Sequence, residues 1–165
     1  DIYKEKEDIK KALLKAMDGE DLSDPFKKVS MEKYNNMCQW ISDNLGRANA
    51  KIAGRKVGEA AFANMVESKL INENSTPIEA MKGLATVASQ MIQDPKNRGW
   101  EIVSSDDTSI VMRRTQSFNP DLQFGVIEGI LRKVKSISMP NVRLIKDVQR
   151  GDEFDEFELT WRNRL

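Results

Sequence analysis

The sequence predicts an α+β domain, with N-terminal helices packed on one face of an antiparallel sheet and two β-hairpins that are separated by a helix. Apolar residues recur every three or four positions through residues 1–92, which indicates a series of amphipathic helices. Short apolar strands around polar turns follow at residues 100–114 and 142–161. A helical segment that begins with proline, residues 119–131, lies between them. This order of elements is typical of the α+β class.

Two parts of the chain are predicted, residues 1–28 and residues 29–165. The first part combines an amphipathic helix with a linker at residues 19–25 that is rich in turn-forming residues. This helix either packs on the domain or serves as a connector or dimer helix between neighbouring modules. The second part is predicted to be a single α+β domain of a ligand-binding type.

Local capping signals predict where several helices begin and end. Ser30 can accept hydrogen bonds from free N–H groups at the start of a second helix, and Gly46 can adopt the left-handed conformation that closes it. Thr76 and Glu79 are spaced as a capping box around Pro77, which starts a fourth helix. These helix ends are therefore predicted from neighbouring residues alone.

Small residues mark the third predicted helix, residues 48–70, and the later helix at residues 119–131. Glycine inside a helix costs about 1 kcal/mol relative to alanine, so tight packing or contact of the backbone with a ligand should offset it. We predict that these glycines allow close packing. They are Gly54, Gly58, Gly125 and Gly129.

Composition excludes several functional classes. The charged residues balance, with Lys+Arg 26 against Asp+Glu 26, so nothing in the overall charge favours nucleic-acid binding. No apolar run approaches the roughly 20 residues that a membrane span needs. The single cysteine and the absence of a signal-peptide pattern lead us to expect a cytoplasmic location. Because the chain starts at Asp1, we expect a piece of a longer protein with further domains.

Three segments resemble the 4-vinyl-reductase-type domain family: Gly-Arg-Lys-Val-Gly at residues 54–58, Phe-Gly-Val-Ile-Glu-Gly-Ile-Leu at 124–131, and Gln-Arg-Gly-Asp-Glu-Phe-Asp-Glu-Phe at 149–157. That family is similar in architecture to the small subunits of transport-protein-particle tethering complexes and to haem nitric-oxide-binding sensors. The resemblance implies an α+β domain with an apolar internal pocket, which often senses a small molecule and is often dimeric. Val148 and Asp155 stand where many relatives have cysteines, so the family's metal site is not expected.

An apolar ligand pocket is the main predicted site. Its candidate residues are Met37, Trp40, Phe62, Met65, Met91, Trp100, Phe118 and Phe124. Methionine is flexible and polarizable and suits a surface that repacks around a ligand, but core packing is the competing interpretation for each residue. Glu128 lies in an otherwise apolar helical segment. Its carboxylate either recognises a polar group of the ligand or faces solvent on the helix surface between two glycines.

The sequence leads us to expect no cofactor and no metal. The chain contains no histidine, which excludes haem held by a histidine ligand, and nothing marks Tyr3, Tyr34, Cys38 or a methionine as a substitute. The acidic residues between 152 and 158 lack the spacing of a calcium loop. Four basic residues either hold an anionic group or form a solvated face; they are Arg55, Lys56, Arg113 and Arg114.

Three functions remain open. The first is a sensory or regulatory domain that binds a small apolar ligand between the glycine-containing helices and the sheet, and signals through the N-terminal helix or a dimer contact to a fused or separate partner. The second is a non-catalytic assembly subunit that forms a homodimer through the same helices and recruits a protein. The third is an enzyme with Glu128 as acid or base, and it is least favoured because no spacing places a second carboxylate beside Glu128.

Overall fold

Helices fill the first half of the chain and a four-stranded sheet fills most of the second half. The computed structural model describes residues 2–19, 30–91, 99–114 and 118–164. In chain order the elements are α1 (Ile2–Ala16), α2 (Met31–Leu45), α3 (Arg47–Glu67), α4 (Pro77–Met91), β1 (Trp100–Ser105), β2 (Ser109–Arg114), α5 (Pro120–Leu131), β3 (Ile137–Lys146) and β4 (Asp155–Asn163), with a short 3-10 helix Val148–Arg150 before β4. The predicted α+β class is confirmed.

The predicted N-terminal caps are present. The Lys33 N–H donates to Ser30 Oγ at 3.3 Å at the start of α2. Gly46 ends α2 with a positive φ of +89°, but its ψ of 150° differs from the predicted left-handed helical conformation. At the start of α4 the Thr76 N–H donates to Glu79 Oε2 at 2.8 Å, and the Glu79 N–H donates to Thr76 Oγ1 at 3.4 Å. The predicted linker after α1 lies outside the described residues, apart from residue 19.

The sheet has the strand order β1-β2-β4-β3, and all neighbouring strands are antiparallel. Both predicted hairpins are confirmed, since β1 pairs with β2 and β3 pairs with β4. Pairing of β2 with β4 joins the two hairpins into one sheet. Strand β3 begins at Ile137, five residues before the predicted 142. The sequence pattern missed this part of the strand because a bulge between Ser138 and Asn141, with Met139 at a φ of +51°, interrupts the alternation of apolar and polar residues.

One apolar core lies between the sheet and helices from the second half of α3 onwards. Helix α4 contacts β1, and α5 contacts β3 and α4. Within the core the aromatic rings of Trp100 and Phe157 are in contact, with ring centroids 5.7 Å apart. The buried core residues are Phe62, Met65, Ala80, Met81, Leu84, Trp100, Ile110, Met112, Val126, Ile127, Ile130, Leu131, Val134, Ile137, Val142, Phe157, Leu159 and Trp161.

The chain forms two compact units, residues 1–50 and residues 51–165, and the division falls within α3. In the first unit α1 contacts α2. The second unit contains the rest of α3, α4, α5 and the whole sheet. The boundary predicted at residue 28 stays a prediction. Among the helices of the described residues, none is both long enough and apolar enough to cross a membrane.

Candidate functional site

Helices α3 and α5 touch backbone to backbone through their glycines. A Cβ atom on Gly54 would lie 2.1 Å from the carbonyl oxygen of Leu122, and a Cβ on Gly125 would lie 2.1 Å from the carbonyl oxygen of Lys51. Both distances are far inside van der Waals contact. Only glycine therefore fits at these two positions, because any side chain would push the helices apart.

The same relationship repeats one turn further along both helices. A Cβ on Gly58 would lie 2.1 Å from the Val126 carbonyl oxygen, and a Cβ on Gly129 would lie 2.2 Å from the Arg55 carbonyl oxygen. Each helix thus presents a glycine face to the other over two turns. This contact leaves no room for a ligand between the helices, and it occupies the faces that were predicted to form a homodimer.

A cation covers the Phe124 ring at the N-terminal end of this helix pair. Lys51 Nζ lies 4.1 Å from the ring centroid and 3.8 Å from Asp121 Oδ1. Phe124 is half-buried and packs against the edge of the core. The ring therefore faces an ammonium group on one side, an arrangement that is typical of a cation–π contact.

Glu128 is held by arginines on the outer side of α5. Its carboxylate accepts hydrogen bonds from Arg132, at 2.6 Å from Nη2 and 3.1 Å from Nε, and lies 3.6 Å from Arg55 Nε. Lys56, the neighbour of Arg55, pairs instead with Glu59 at 3.1 Å. Glu128 thus faces guanidinium groups and not the apolar core.

Several of the predicted pocket residues lie in the core. Phe62, Met65 and Trp100 are 7%, 1% and 7% exposed, and all three belong to the cluster that packs against the sheet. These three residues therefore contribute to the packing between the helices and the sheet. The predicted location of a ligand pocket in that region stays a prediction.

The remaining predicted pocket residues lie elsewhere. Met37 and Trp40 are half-buried residues of α2, in the first unit. Phe118 is half-buried just before α5. Met91 is the last residue of α4, and its side chain lies outside the described part of the structure. The structure therefore brings together Phe62, Met65 and Trp100, but not the predicted set as a group within one unit.

A buried ion pair, which the sequence interpretation missed, lies where β2 and β4 meet. Arg114 Nη2 donates to Asp155 Oδ2 and Arg114 Nη1 donates to the Phe118 carbonyl oxygen, while Asp155 Oδ1 accepts from the Val148 N–H at 2.8 Å. Burial lowers the pKa of Arg114, and the hydrogen bond to Asp155 counteracts this. The available signal was the alternation along β2, which places Arg114 on the same face as the buried Met112.

Arg113 points to the other face of the sheet and belongs to a row of ion pairs. It lies 2.9 Å from Glu156 and 3.9 Å from Glu101, and Lys146 lies 2.9 Å from Glu156 on the far side. The hydrogen bond from Lys146, followed by the one from Arg113, lowers the pKa of Glu156. The row joins all four strands, so Arg113 belongs to a charged face that already contains its own counter-charges.

Two protic side chains lie one turn apart on α2. Cys38 is completely buried, and burial raises the pKa of its thiol to about 11. Burial also raises the pKa of Tyr34, and the electrostatic effect of the neighbouring Cys38 raises it further. Burial therefore favours the protonated form of both side chains.

An open groove of about 790 Å³ lies at the end of α3 and along α4, in the second unit. None of the predicted ligand residues lines it. The lining residues are Val66, Lys69, Leu70, Ile71, Asn72, Glu73, Asn74, Ser75, Glu79, Lys82, Gly83 and Thr86. The sequence interpretation did not identify this groove, since it is formed by a loop and by helix residues that carry no ligand-binding motif.

Comparison with known proteins shows similarity in structure only. No protein-family model matches the chain, and no curated protein matches it. Among solved structures, an H-NOX protein from S. oneidensis in the Fe(II) ligation state has a TM-score of 0.70 at 9% identity, covering 96% of this chain and 88% of that chain. An H-NOX mutant from T. Tengcongensis has a TM-score of 0.61 at 15% identity, covering 96% and 89%. A structure from a study of haem distortion in the H-NOX family has a TM-score of 0.61 at 15% identity, covering 96% and 86%.

These similarities establish the fold and correct one expectation. The predicted similarity in architecture to haem nitric-oxide-binding sensors is confirmed, while the more specific resemblance to 4-vinyl-reductase-type domains stays a prediction. The expectation of no cofactor is wrong, because the solved structures that share this fold are described by their iron and haem. The absence of histidine excludes an imidazole ligand to haem iron, but it does not exclude haem itself.

The described side chains do not fit the usual ways of holding haem iron. Proteins bind it through His, Cys thiolate, tyrosine or a Met/His pair. Histidine is absent, Cys38 is completely buried, and burial raises the pKa of both Cys38 and Tyr34. The fold is therefore shared with structures that are described by their haem, but the donor atoms of the described side chains are not a set that proteins commonly use for iron.

Proposed function

We propose that this chain is a sensory or regulatory domain that binds a small, largely apolar ligand in an internal pocket and signals through a helix or a dimer contact. The observation that carries the proposal is the similarity in fold to H-NOX structures, which extends over nearly all of this chain and most of the other chain. One such structure from S. oneidensis is described in its Fe(II)NO ligation state. A small-molecule sensor is the function that this fold favours.

Haem, or a flat apolar molecule of similar size, is the ligand class that we infer. The support comes from the haem named for solved structures with this fold. Small-molecule sites are mostly apolar, with few polar contacts that fix orientation. Half-buried aromatic and methionine side chains, such as Trp40 and Met37, are suited to contact such a ligand.

A homodimer through the glycine-containing helices is disfavoured as the basis of an assembly function, because α3 and α5 use those faces within the chain. Another surface is left on α3. Ile52 and Val57 are 47% and 45% exposed on this helix. We infer that any dimer contact or signalling partner uses a surface other than the glycine faces.

Native mass spectrometry of the purified chain, together with analysis of extracted small molecules, tests the proposed function. We expect a co-purifying ligand, or an increase in melting temperature of several degrees when haemin or another flat apolar molecule is added, since a ligand that binds only the folded state stabilises it. Lysozyme at the same concentration serves as a control for non-specific haemin binding. The proposal fails if no mass adduct is found and no compound in a panel of flat apolar molecules raises the melting temperature.

A further inference from the structure

The donor atoms of this chain disagree with the iron chemistry named for structures that share its fold. The chain contains no histidine, and haem-binding proteins that use methionine commonly pair it with histidine. The remaining common donors are a cysteine thiolate and a tyrosine. The inference that follows rests on the function proposed above and specifies how its ligand is held.

Helix α2 carries the described cysteine and tyrosine donors. Cys38 is 0% exposed, and this burial raises the pKa of its thiol, which disfavours the thiolate. Tyr34, one turn away, is half-buried, and its pKa is also raised by burial. A metal bond to either atom requires loss of a proton from a site where burial disfavours the charged form.

We propose that this chain holds its flat apolar ligand by burial and packing, without a bond from a protein atom to a metal, so that metal-free protoporphyrin IX binds as tightly as haem. Apolar burial supplies affinity in proportion to the area removed from water and does not depend on the metal. A domain of this kind responds to the presence of the ligand itself.

Three probes separate packing from metal ligation: haemin, zinc protoporphyrin IX and metal-free protoporphyrin IX. Each is titrated into the full chain while tryptophan fluorescence is recorded, with competition by excess serum albumin to remove non-specific binding. We expect the three Kd values to agree within about threefold. A Kd for haemin more than tenfold below that of metal-free protoporphyrin overturns the proposal, because tenfold corresponds to about 1.4 kcal/mol that only the metal can supply.

Two variants test the donor atoms. We expect Tyr34→Phe and Cys38→Ser to leave the Kd for haemin within threefold and the Soret band of the complex unchanged. Circular dichroism shows whether Cys38→Ser still folds, and Cys38→Ala replaces it if it does not. A shifted Soret band in a folded variant, with weaker haemin binding, contradicts the proposal and identifies the missing donor.

Failure of this inference is distinguishable from failure of the proposed function. If no porphyrin binds, the inference is overturned, but a different co-purifying small molecule in native mass spectra still supports a sensory domain. If haemin alone binds tightly, the sensory function stands and the metal-independent mode is wrong. Equal binding of all three probes supports both the proposed sensory function and the metal-independent mode of binding.

Discussion

Arg114 on β2 lies directly opposite Asp155 on β4, and their charged side chains form a buried ion pair. The two residues are 5% and 3% exposed. The same Asp155 accepts the Val148 N–H, so one carboxylate ties together two strands and the turn that precedes β4. Because burial removes water from both charges, each depends on the other for its stabilisation.

Replacing Asp155 by alanine is expected to lower the free energy of unfolding by about 3 to 5 kcal/mol, because the Arg114 guanidinium would stay buried without its counter-charge. Urea unfolding followed by circular dichroism measures this. The matched control is Glu158→Ala, also on β4, whose partner Arg143 lies at 2.7 Å but is largely exposed. That variant should lose less than about 1 kcal/mol. Equal losses for the two variants would show that burial of the Arg114 pair does not matter.

Gly125→Ala tests the contact between α3 and α5. Alanine normally favours a helix by about 1 kcal/mol over glycine, but here its Cβ would meet the Lys51 carbonyl oxygen at 2.1 Å. We expect a net loss of about 3 kcal/mol in the free energy of unfolding, since the helices must separate. Ala60→Gly, at an exposed position of α3, is the control and should cost about 1 kcal/mol. A stabilised Gly125→Ala variant would refute the close contact.

The buried thiol of Cys38 predicts a loss of stability at high pH. Its pKa is raised from 9.0 to about 11, so the folded state binds the proton more tightly than the unfolded state does. The stabilisation is complete below pH 9 and is lost as the pH rises through 11, with a magnitude on the order of 2 kcal/mol. Urea midpoints between pH 8 and pH 11 measure it. Cys38→Ala should show a smaller decline over this range, and an unchanged decline would assign the effect to other groups such as Tyr34.

The capping box at the start of α4 predicts a modest, local effect. Thr76→Ala removes the acceptor for the Glu79 N–H and should cost about 1 kcal/mol. Thr76→Ser keeps the hydroxyl and should restore most of this. The measurement is thermal unfolding of both variants beside the unchanged chain. A Thr76→Ser variant as unstable as Thr76→Ala would indicate that the threonine methyl group, and not the cap, is responsible.

The apolar residues show most clearly where sequence reasoning stopped. Phe62, Met65 and Trp100 have the composition of either a core or a ligand pocket, and periodicity cannot distinguish the two. Core residues and pocket-lining residues are equally apolar, and only the arrangement of the neighbouring elements decides whether their side chains enclose a cavity. In this structure they pack against one another and against the sheet.

The sequence by itself determined the features that depend on close neighbours: the caps at Ser30 and Thr76 and the two hairpins. Each follows from hydrogen bonds or steric limits that act over a few residues. Only the tertiary structure decided the pairing of β2 with β4 and the burial of Arg114 beside Asp155, residues that are 41 positions apart. Such contacts depend on how every element packs, because a charge or an aromatic ring is stabilised inside the protein only by partners that the whole fold brings to it.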